Sequence, residues 1–557
     1  MKKQVIRKRF IIILLAFILL ITPLAYGCEY MIDFLPIEIP EVPQAPEPPP
    51  VPVEEEEEEE EPPPPPPSPP GIGRFTLRYD PNSTMNPIHM LNRDNIVLSS
   101  LIYESLFVLN QDLRVEPVLC ARWESEDYLE YIFYILPDIA MHDGSTLTSE
   151  DVVYSFRQAL LRGRFASRLY AVASIAEIDE LSFRVLLSEA NSRLINLLDF
   201  PIIKAGSIDE PTPPGTGPFM PAGSTVFTHL APFFSHRNAT EMPVNRVYLK
   251  ACTDSELTEL FDSLYLSLLW DDPASTFDIR LNRLHETRIY ETTALQFIGF
   301  NANHLILRDP DVRRAISASI ERQIIADEIM PGHSLASPLA ISPAFEFYNP
   351  QWEHSHLTPF QEMSYLFERA GLEDFNNTSY LEIYTGLGET RRFTIDFIVN
   401  TENTHKVQAA RRIERTLRHA GVDITVRELP WEQFTDALDN GNFDMYYGEI
   451  MLGGDFDLSP LLLPGPLNFG RTASTHFQMY IDSFLSARGQ LEIEFASALL
   501  LEEIKVNAPF APVLYKRHAI YSPLGAISGA EPNQSSIFHN FTEWTIDLDM
   551  LIPAATG

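Results

Sequence analysis

The chain has 557 residues, 45% of them hydrophobic, which is enough apolar surface for several cores and, by length, for two to four domains. Its formal net charge is −36 and its pI about 4.7, so a phosphate backbone would be repelled, and no basic cluster beyond the N-terminus offers a local exception. Nucleic-acid binding is excluded on that ground.

The N-terminus reads as an export signal. Lys2, Lys3, Arg7, Lys8 and Arg9 precede an apolar run over residues 10–21, too short to span a bilayer comfortably but suited to a signal peptide. Leu24-Ala25-Tyr26-Gly27-Cys28 resembles the lipobox of bacterial lipoproteins, with Ala25 where Leu is usual. That resemblance implies a signal peptide over residues 1–27 and acylation of Cys28, with the acyl chains holding the protein to a membrane surface. A plain signal peptide, or an uncleaved anchor with an incidental cysteine, is the alternative. Residues 28–73 then change in composition: Glu54 to Glu61 are an unbroken acidic run and Pro62 to Pro67 an unbroken proline run, and Lys and Arg are absent. Like charges repel and prolines favour extended backbone, so a disordered stalk is expected.

Folded sequence is expected from Arg74. Residues 75–79 alternate as a strand, 95–109 carry helical spacing that runs into a strand, and 131–135 are rich in aromatic and β-branched residues. His142-Asp143-Gly144 is a tight turn, and Thr148 with Asp151 three residues on predicts the start of a helix. Gly215-Thr216-Gly217-Pro218-Phe219 is a turn lacking the Lys-Ser or Lys-Thr of a phosphate loop. Residues 246–289 alternate short strands with a helical piece. Residues 296–301 read as a buried strand, and Asp309 and Pro310 open a helix. Further helices are expected over 362–371, 405–419 and 431–438, and strands over 393–399, 421–428 and 443–447. This alternation predicts an α/β lobe with partly parallel strands. The four arginines Arg411, Arg412, Arg415 and Arg418 read as a solvated basic face.

Several of these stretches, in order, resemble the extracytoplasmic solute-binding proteins of ABC importers, specifically the oligopeptide and dipeptide-binding family 5. The matching segments are Tyr-Glu-x-Leu at Tyr103 to Leu106, Pro-x-Leu at Pro117 to Leu119 with Cys120 where Ala is common, HDGSTLTSEDVVYSF from His142, the Gly215 turn, GFN before DPDVRRAISASIERQ, and APFAPVLYKRH from Ala508. The resemblance implies a bilobal α/β periplasmic-binding-protein-like fold, with lobe I over 74–295 and 515–557 and lobe II over 296–514. Two hinge crossings are implied, near residues 293–297 and 513–518. It also implies a short peptide or other small solute as ligand, ABC permease subunits as partners, no cofactor, a monomeric body, and a place on the outer face of the cytoplasmic membrane. In peptide-binding members an Asp in a Gly-rich loop pairs with the ligand's α-ammonium group, and the resemblance puts Asp455 there, with Gly453, Gly454 and Phe456 as its loop. The Trp usual before that Asp is absent, Met451 and Leu452 stand nearby, and Asp457 is the other carboxylate in reach.

Motifs for catalysis are missing: there is no His-Glu-x-x-His, Gly-x-Ser-x-Gly, Cys-x-x-Cys or dinucleotide fingerprint, so no enzyme is expected. His354-Ser355-His356 is a weak metal pair without further ligands. Cys120 and Cys252 could form one disulfide, or Cys120 could be a buried thiol. The rival functions are a lipid-anchored hydrolase and a binding-protein shell reused for adhesion or signalling.

Overall fold

A computed structural model describes residues 73–222, 227–274, 279–353, 357–385 and 388–553. The expected signal peptide, Cys28, nearly all of the stalk and the His354-Ser355-His356 pair lie outside the described residues.

The first lobe supplies β1 (Thr76–Tyr79), α1 (Arg93–Ser99), β2 (Phe107–Leu109), β3 (Val115–Pro117), β4 (Cys120–Glu124), β5 (Glu130–Ile135), α2 (Ser149–Leu161), β6 (Val172–Asp179), β7 (Ser182–Leu187), β8 (Phe219–Ala222), β9 (His229–Pro232), β10 (Val247–Ala251) and β11 (Leu269–Asp271). They form a sheet β1-β10-β9-β8, a sheet β4-β5-β7-β6 and the β2-β3 hairpin. In β5, Tyr131, Phe133 and Ile135 are buried while Glu130, Ile132 and Tyr134 are not, the period-two pattern of a half-covered strand. Helix α1 is shorter than its spacing predicts: Asn92 caps its start and it ends at Ser99, with Ser100 as its C-cap seven residues before β2. The His142 turn and the Gly215 turn, far apart in sequence, dock on each other, with His142 Nε2 3.0 Å from Gly217 O and Gly215 N donating to His142 Nδ1 at 3.3 Å. Thr148 donates from both N and Oγ1 to Asp151 Oδ2, tying down the start of α2.

The second lobe follows with β12 (His285–Phe300), α3 (Pro310–Ser319), β13 (Ser334–Ala336), α4 (Pro359–Arg369), the small strands β14 (Leu372–Glu373), β15 (Glu382–Tyr384) and β16 (Thr390–Arg392), then β17 (Thr394–Asn400), α5 (Thr404–His419), β18 (Asp423–Leu429), α6 (Trp431–Asn440), β19 (Met445–Met451), α7 (Phe477–Ser486), α8 (Gly489–Asn507) and β20 (Phe510–Pro523). Seven strands make one sheet, β11-β20-β12-β19-β17-β18 with β13 on β20. Parallel pairing of β17 with β18 and β19 is the consequence of the helices that cross over between them.

The expected short strand at 296–301 is instead the end of a 16-residue strand. β12 and the 14-residue β20 run antiparallel from one lobe into the other. Tyr290 and Ile520 belong to the core of the first lobe, whereas Leu295, Phe297, Val513, Leu514 and Tyr515 belong to the two cores of the second. Between them the ladder breaks: Glu291 pairs with Arg517 and Leu295 with Tyr515, so β12 carries extra residues there. The freed polar groups are satisfied locally, because Thr292 Oγ1 donates to Lys516 O at 2.6 Å and Thr293 N donates to Gln534 Oε1 at 2.6 Å. Beyond the bulge, Gly299 faces Tyr446 and Gly448 faces Phe297 across β12 and β19, and each ring lies over the opposite glycine: a Cβ on Gly299 would sit 2.0 Å from Tyr446 Cε1.

Candidate functional site

The loop after β19 is built at the crossing. Leu452 N donates to Thr293 O at 3.2 Å and Thr293 Oγ1 donates to Leu452 O at 2.6 Å, so the loop leaves from the bulge itself. Gly454 then passes so close to the first lobe that a Cβ would lie 2.7 Å from Asn196 O and 2.8 Å from Leu109 Cδ1. Glycine is required there by close approach of two backbones. Phe456 is fully buried at a φ of 55°, its ring 4.9 Å from that of Phe345. It packs into the second lobe, and the structure gives it no open face toward the first.

Asp455 is 3% exposed and looks into the first lobe. Its Oδ2 accepts from Asn191 Nδ2 at 3.0 Å, and its main-chain carbonyl accepts from Arg193 Nε at 3.1 Å. Arg193 also donates through Nη2 to Phe484 O at 3.0 Å, while Asn196 Nδ2 donates to Gly454 O at 3.1 Å and Ser192 N to Leu485 O at 2.7 Å. Asp457 accepts from Tyr170 Oη at 3.0 Å. A seam of hydrogen bonds between residues 170–196 and 454–485 thus joins the lobes. Burial raises the Asp455 carboxyl above the ordinary range, with the charge of Asp457 acting the same way against the Asn191 bond and the Arg193 guanidinium. Burial likewise pushes Arg193 down to about 10, and its buried Nη1 has no partner among the described residues. The free space beside Asp455 is about 10 Å³, walled by Tyr170, Asn191, Leu197 and Leu485, no more than one water would occupy.

A second group of charges lies across the same crossing. Lys516 on β20 is 3% exposed and bonds Asp272, just after β11, and Glu449 on β19, the latter at 3.1 Å. Lys406 on α5 reaches Glu449 at 2.9 Å, Gln296 Nε2 donates to Glu449 Oε2 at 2.9 Å, and Tyr447 Oη donates to Gln296. Burial would lower the Lys516 ammonium, but the two carboxylates outweigh it and leave it raised. Burial would raise Glu449, and Lys406 with Lys516 hold it down to about 2. His518 lies 3.8 Å from Asp272 and edge-on to Tyr290, and burial pushes it down to about 4.

Sequence reasoning singles out Asp455, Asp457 and the glycines but misses Asn191, Arg193, Asp272, Lys406, Glu449 and Lys516. No spacing links residues contributed by so many separate elements. The one local signal is a lysine inside the apolar stretch APFAPVLYKRH, since lysines are seldom buried without a carboxylate. Cys120 and Cys252 are both free thiols, and Cys120 is buried. On α5, Arg411, Arg412 and Arg418 are paired with Glu428, Glu321, Glu328 and Glu414. Among the described residues there is no group of three or more His, Cys, Asp or Glu placed to hold a metal, and no helix long and apolar enough to cross a membrane.

Two lobes joined by paired crossing strands, with a Gly-rich loop and a buried carboxylate at their seam, define a two-lobed binding protein. A sequence model of bacterial extracellular solute-binding proteins, family 5 (middle), matches residues 114–464, more than half the chain, and the chain belongs to that family. It is 21% identical over 424 residues to the periplasmic murein peptide-binding protein MppA of Escherichia coli K12, covering 66% of this chain and 72% of MppA. It is 20% identical over 485 residues to the periplasmic oligopeptide-binding protein OppA of Salmonella typhimurium LT2, covering 77% and 85%. Among solved structures, MppA in an unliganded open form superposes with a TM-score of 0.69 at 14% identity, over 86% of this chain and 99% of that one. AppA of Bacillus subtilis in complex with a nonapeptide superposes at 0.63 and 16% identity, over 86% and 100%.

Proposed function

We propose that this protein is the lipid-anchored substrate-binding component of an ABC importer, taking a short peptide between its lobes and delivering it to a membrane permease. The family and the names of MppA, OppA and AppA support a peptide; Cys28 supports the anchor. The observation that carries the reading is the buried Asp455 carboxylate at the seam. A carboxylate enclosed between lobes is stable only with strong partners, and in this arrangement a neutral amide from Asn191 fills the place that an ammonium group would fill better. A peptide's N-terminus would displace that amide, gain an ion pair in a dry site, and bridge the lobes, so that the closed state is favoured by the ligand's differential contacts. Peptide amides would be met by backbone groups, giving affinity with little sequence preference.

Asp455→Asn keeps the shape and removes the charge. Titration calorimetry with trialanine, used as an unblocked test peptide, should show affinity reduced by roughly 2–5 kcal/mol in the variant. N-acetyl-trialanine should bind poorly to the native protein and lose little more with the variant. Equal affinity for blocked and free peptide would remove the ammonium role from Asp455. Intact peptide released on denaturing the purified protein, identified by mass spectrometry, separates a receptor from a hydrolase.

A further inference from the structure

The seam between the lobes has a polarity. Residues 191–196 of the first lobe donate across it, and the acceptors include the main-chain carbonyls of Gly454, Asp455, Phe484 and Leu485 in the second. Phe484 and Leu485 stand in the last turn of α7, where a helix has no partners of its own for its carbonyls. Arg193 Nη2 takes Phe484 O, and Ser192 takes Leu485 O from N at 2.7 Å and from Oγ at 3.0 Å. The Arg193 guanidinium also lies 4.0 Å from the centre of the Phe484 ring, at the negative end of the helix dipole. One lobe thus caps a helix of the other.

The donors are arranged within the first lobe itself. Tyr131 Oη, from β5, donates to Asn191 O at 2.6 Å, and Asn191 Oδ1 accepts from Arg193 N at 2.9 Å, which fixes the turn that carries Arg193. Both sides of each seam bond are protein, so no solute is needed to make them. The fit is still imperfect: Arg193 is 6% exposed, and its Nη1 has no partner among the described residues. A guanidinium enclosed with one nitrogen unmatched regains water when the seam parts, and that offsets part of the bonds lost. Such a contact closes readily and reopens at small cost.

We infer that residues 191–196 are a closing latch, with Arg193 as the positioning residue that draws α7 and the Gly-rich loop against the first lobe whether or not a solute is bound. Capture at Asp455 then selects from a protein that already closes and reopens. The inference goes beyond the role given to Asp455 and stands without it.

The Ser192 amide reports the latch directly, because its N–H crosses the seam to Leu485 O, whereas those of Val118 (to Leu106 O) and Leu381 (to Gly421 O) each stay within one lobe. Hydrogen exchange of the full-length protein, with no peptide added, would be followed by mass spectrometry and resolved at these three amides with overlapping fragments. Ser192 should be protected relative to an unstructured amide, yet exchange faster than Val118 and Leu381 and with little response to low urea, as local opening requires. Arg193→Gln should speed exchange at Ser192 roughly tenfold to a hundredfold, the scale of one charge-assisted hydrogen bond, and leave the two reference amides unchanged. Arg193→Lys keeps the charge without the fork and should restore only part of the protection. An unprotected Ser192, or one that exchanges with the rate and urea response of the reference amides, would overturn the latch in the native protein alone, even if the variants did not fold. An unchanged Ser192 in Arg193→Gln, or equal acceleration of all three amides, would remove the positioning role from Arg193. Since no peptide enters these measurements, their failure is distinct from failure of the trialanine titration.

Discussion

Lys516 shows how much depends on a single side chain at the crossing. Its ammonium is enclosed by the carboxylates of Asp272, from the first lobe, and Glu449, from the second, and Lys406 alone does not neutralise both. Removing one partner of a buried ion pair leaves the others desolvated and unpaired, which costs more than the pair itself contributed. Lys516→Met should therefore lower stability by about 3–5 kcal/mol in urea denaturation. Adding Glu449→Gln to that variant should recover part of the loss, whereas strictly additive losses would show that the two groups do not interact. His518 beside them sets a pH dependence. Its folded value is depressed from 6.5 to about 4, so the fold holds it neutral while the unfolded chain protonates it. The unfolded state binds more protons between those values, and its contribution, on the order of 3 kcal/mol, is fully present above pH 6.5 and lost as pH falls toward 4. Denaturation at pH 7.5 and pH 5, repeated with His518→Gln, should show a smaller acid loss in the variant; identical losses would clear His518 of the effect.

Among the elements, β12 and β20 do the joining, and the facing strand β19 is fitted to β12 by exchange of ring and glycine. Tyr446 covers Gly299 and Phe297 covers Gly448, so small and large residues alternate across the pair and the two strands pack closely. Any Cβ at Gly299 must displace the Tyr446 ring, which is itself packed edge-on against Phe297 and Phe443. Gly299→Ala should cost at least about 1–3 kcal/mol by overpacking, read as a drop in the midpoint of thermal or urea unfolding. A neutral result would mean that the ring has room to move, and that the close fit is not what sets the β12-β19 register. The bulge between Glu291 and Leu295 lies further along the same strand, where the ladder is already interrupted and the freed groups are met by side chains and by the backbone of the loop after β19. A ladder with a built-in gap is the part of the crossing that bends with least loss of hydrogen bonds.

For the molecule as a whole, the two lobes meet through the crossing strands and through the seam at Asp455, and the seam is made of a few side-chain hydrogen bonds rather than a continuous apolar core. Such a contact can be exchanged for a ligand at small cost, which is what a capture mechanism requires. Small-angle scattering should show the radius of gyration falling when a bound solute bridges the lobes. Demonstrated binding with an unchanged scattering profile would show that capture occurs without lobe closure.

The local chemistry of the chain is legible in its amino-acid sequence. Pro310 after Asp309, Thr148 with Asp151, the alternation in Glu130–Ile135 and the strand-helix alternation after residue 393 all act within a few residues, and each produces the element expected. The ordered family motifs carry the two-lobed architecture as well, because they mark turns and strand ends whose backbone geometry tolerates few alternatives. What only the tertiary structure decides is partnership. Asn191 and Arg193 meet Asp455 across 264 and 262 residues of sequence, and Lys516 meets Asp272 across 244. Burial of a charge is set by what the rest of the fold brings against it, and no local pattern encodes that. The same reason hides the Phe456 ring, whose neighbour Phe345 lies in another segment of the lobe.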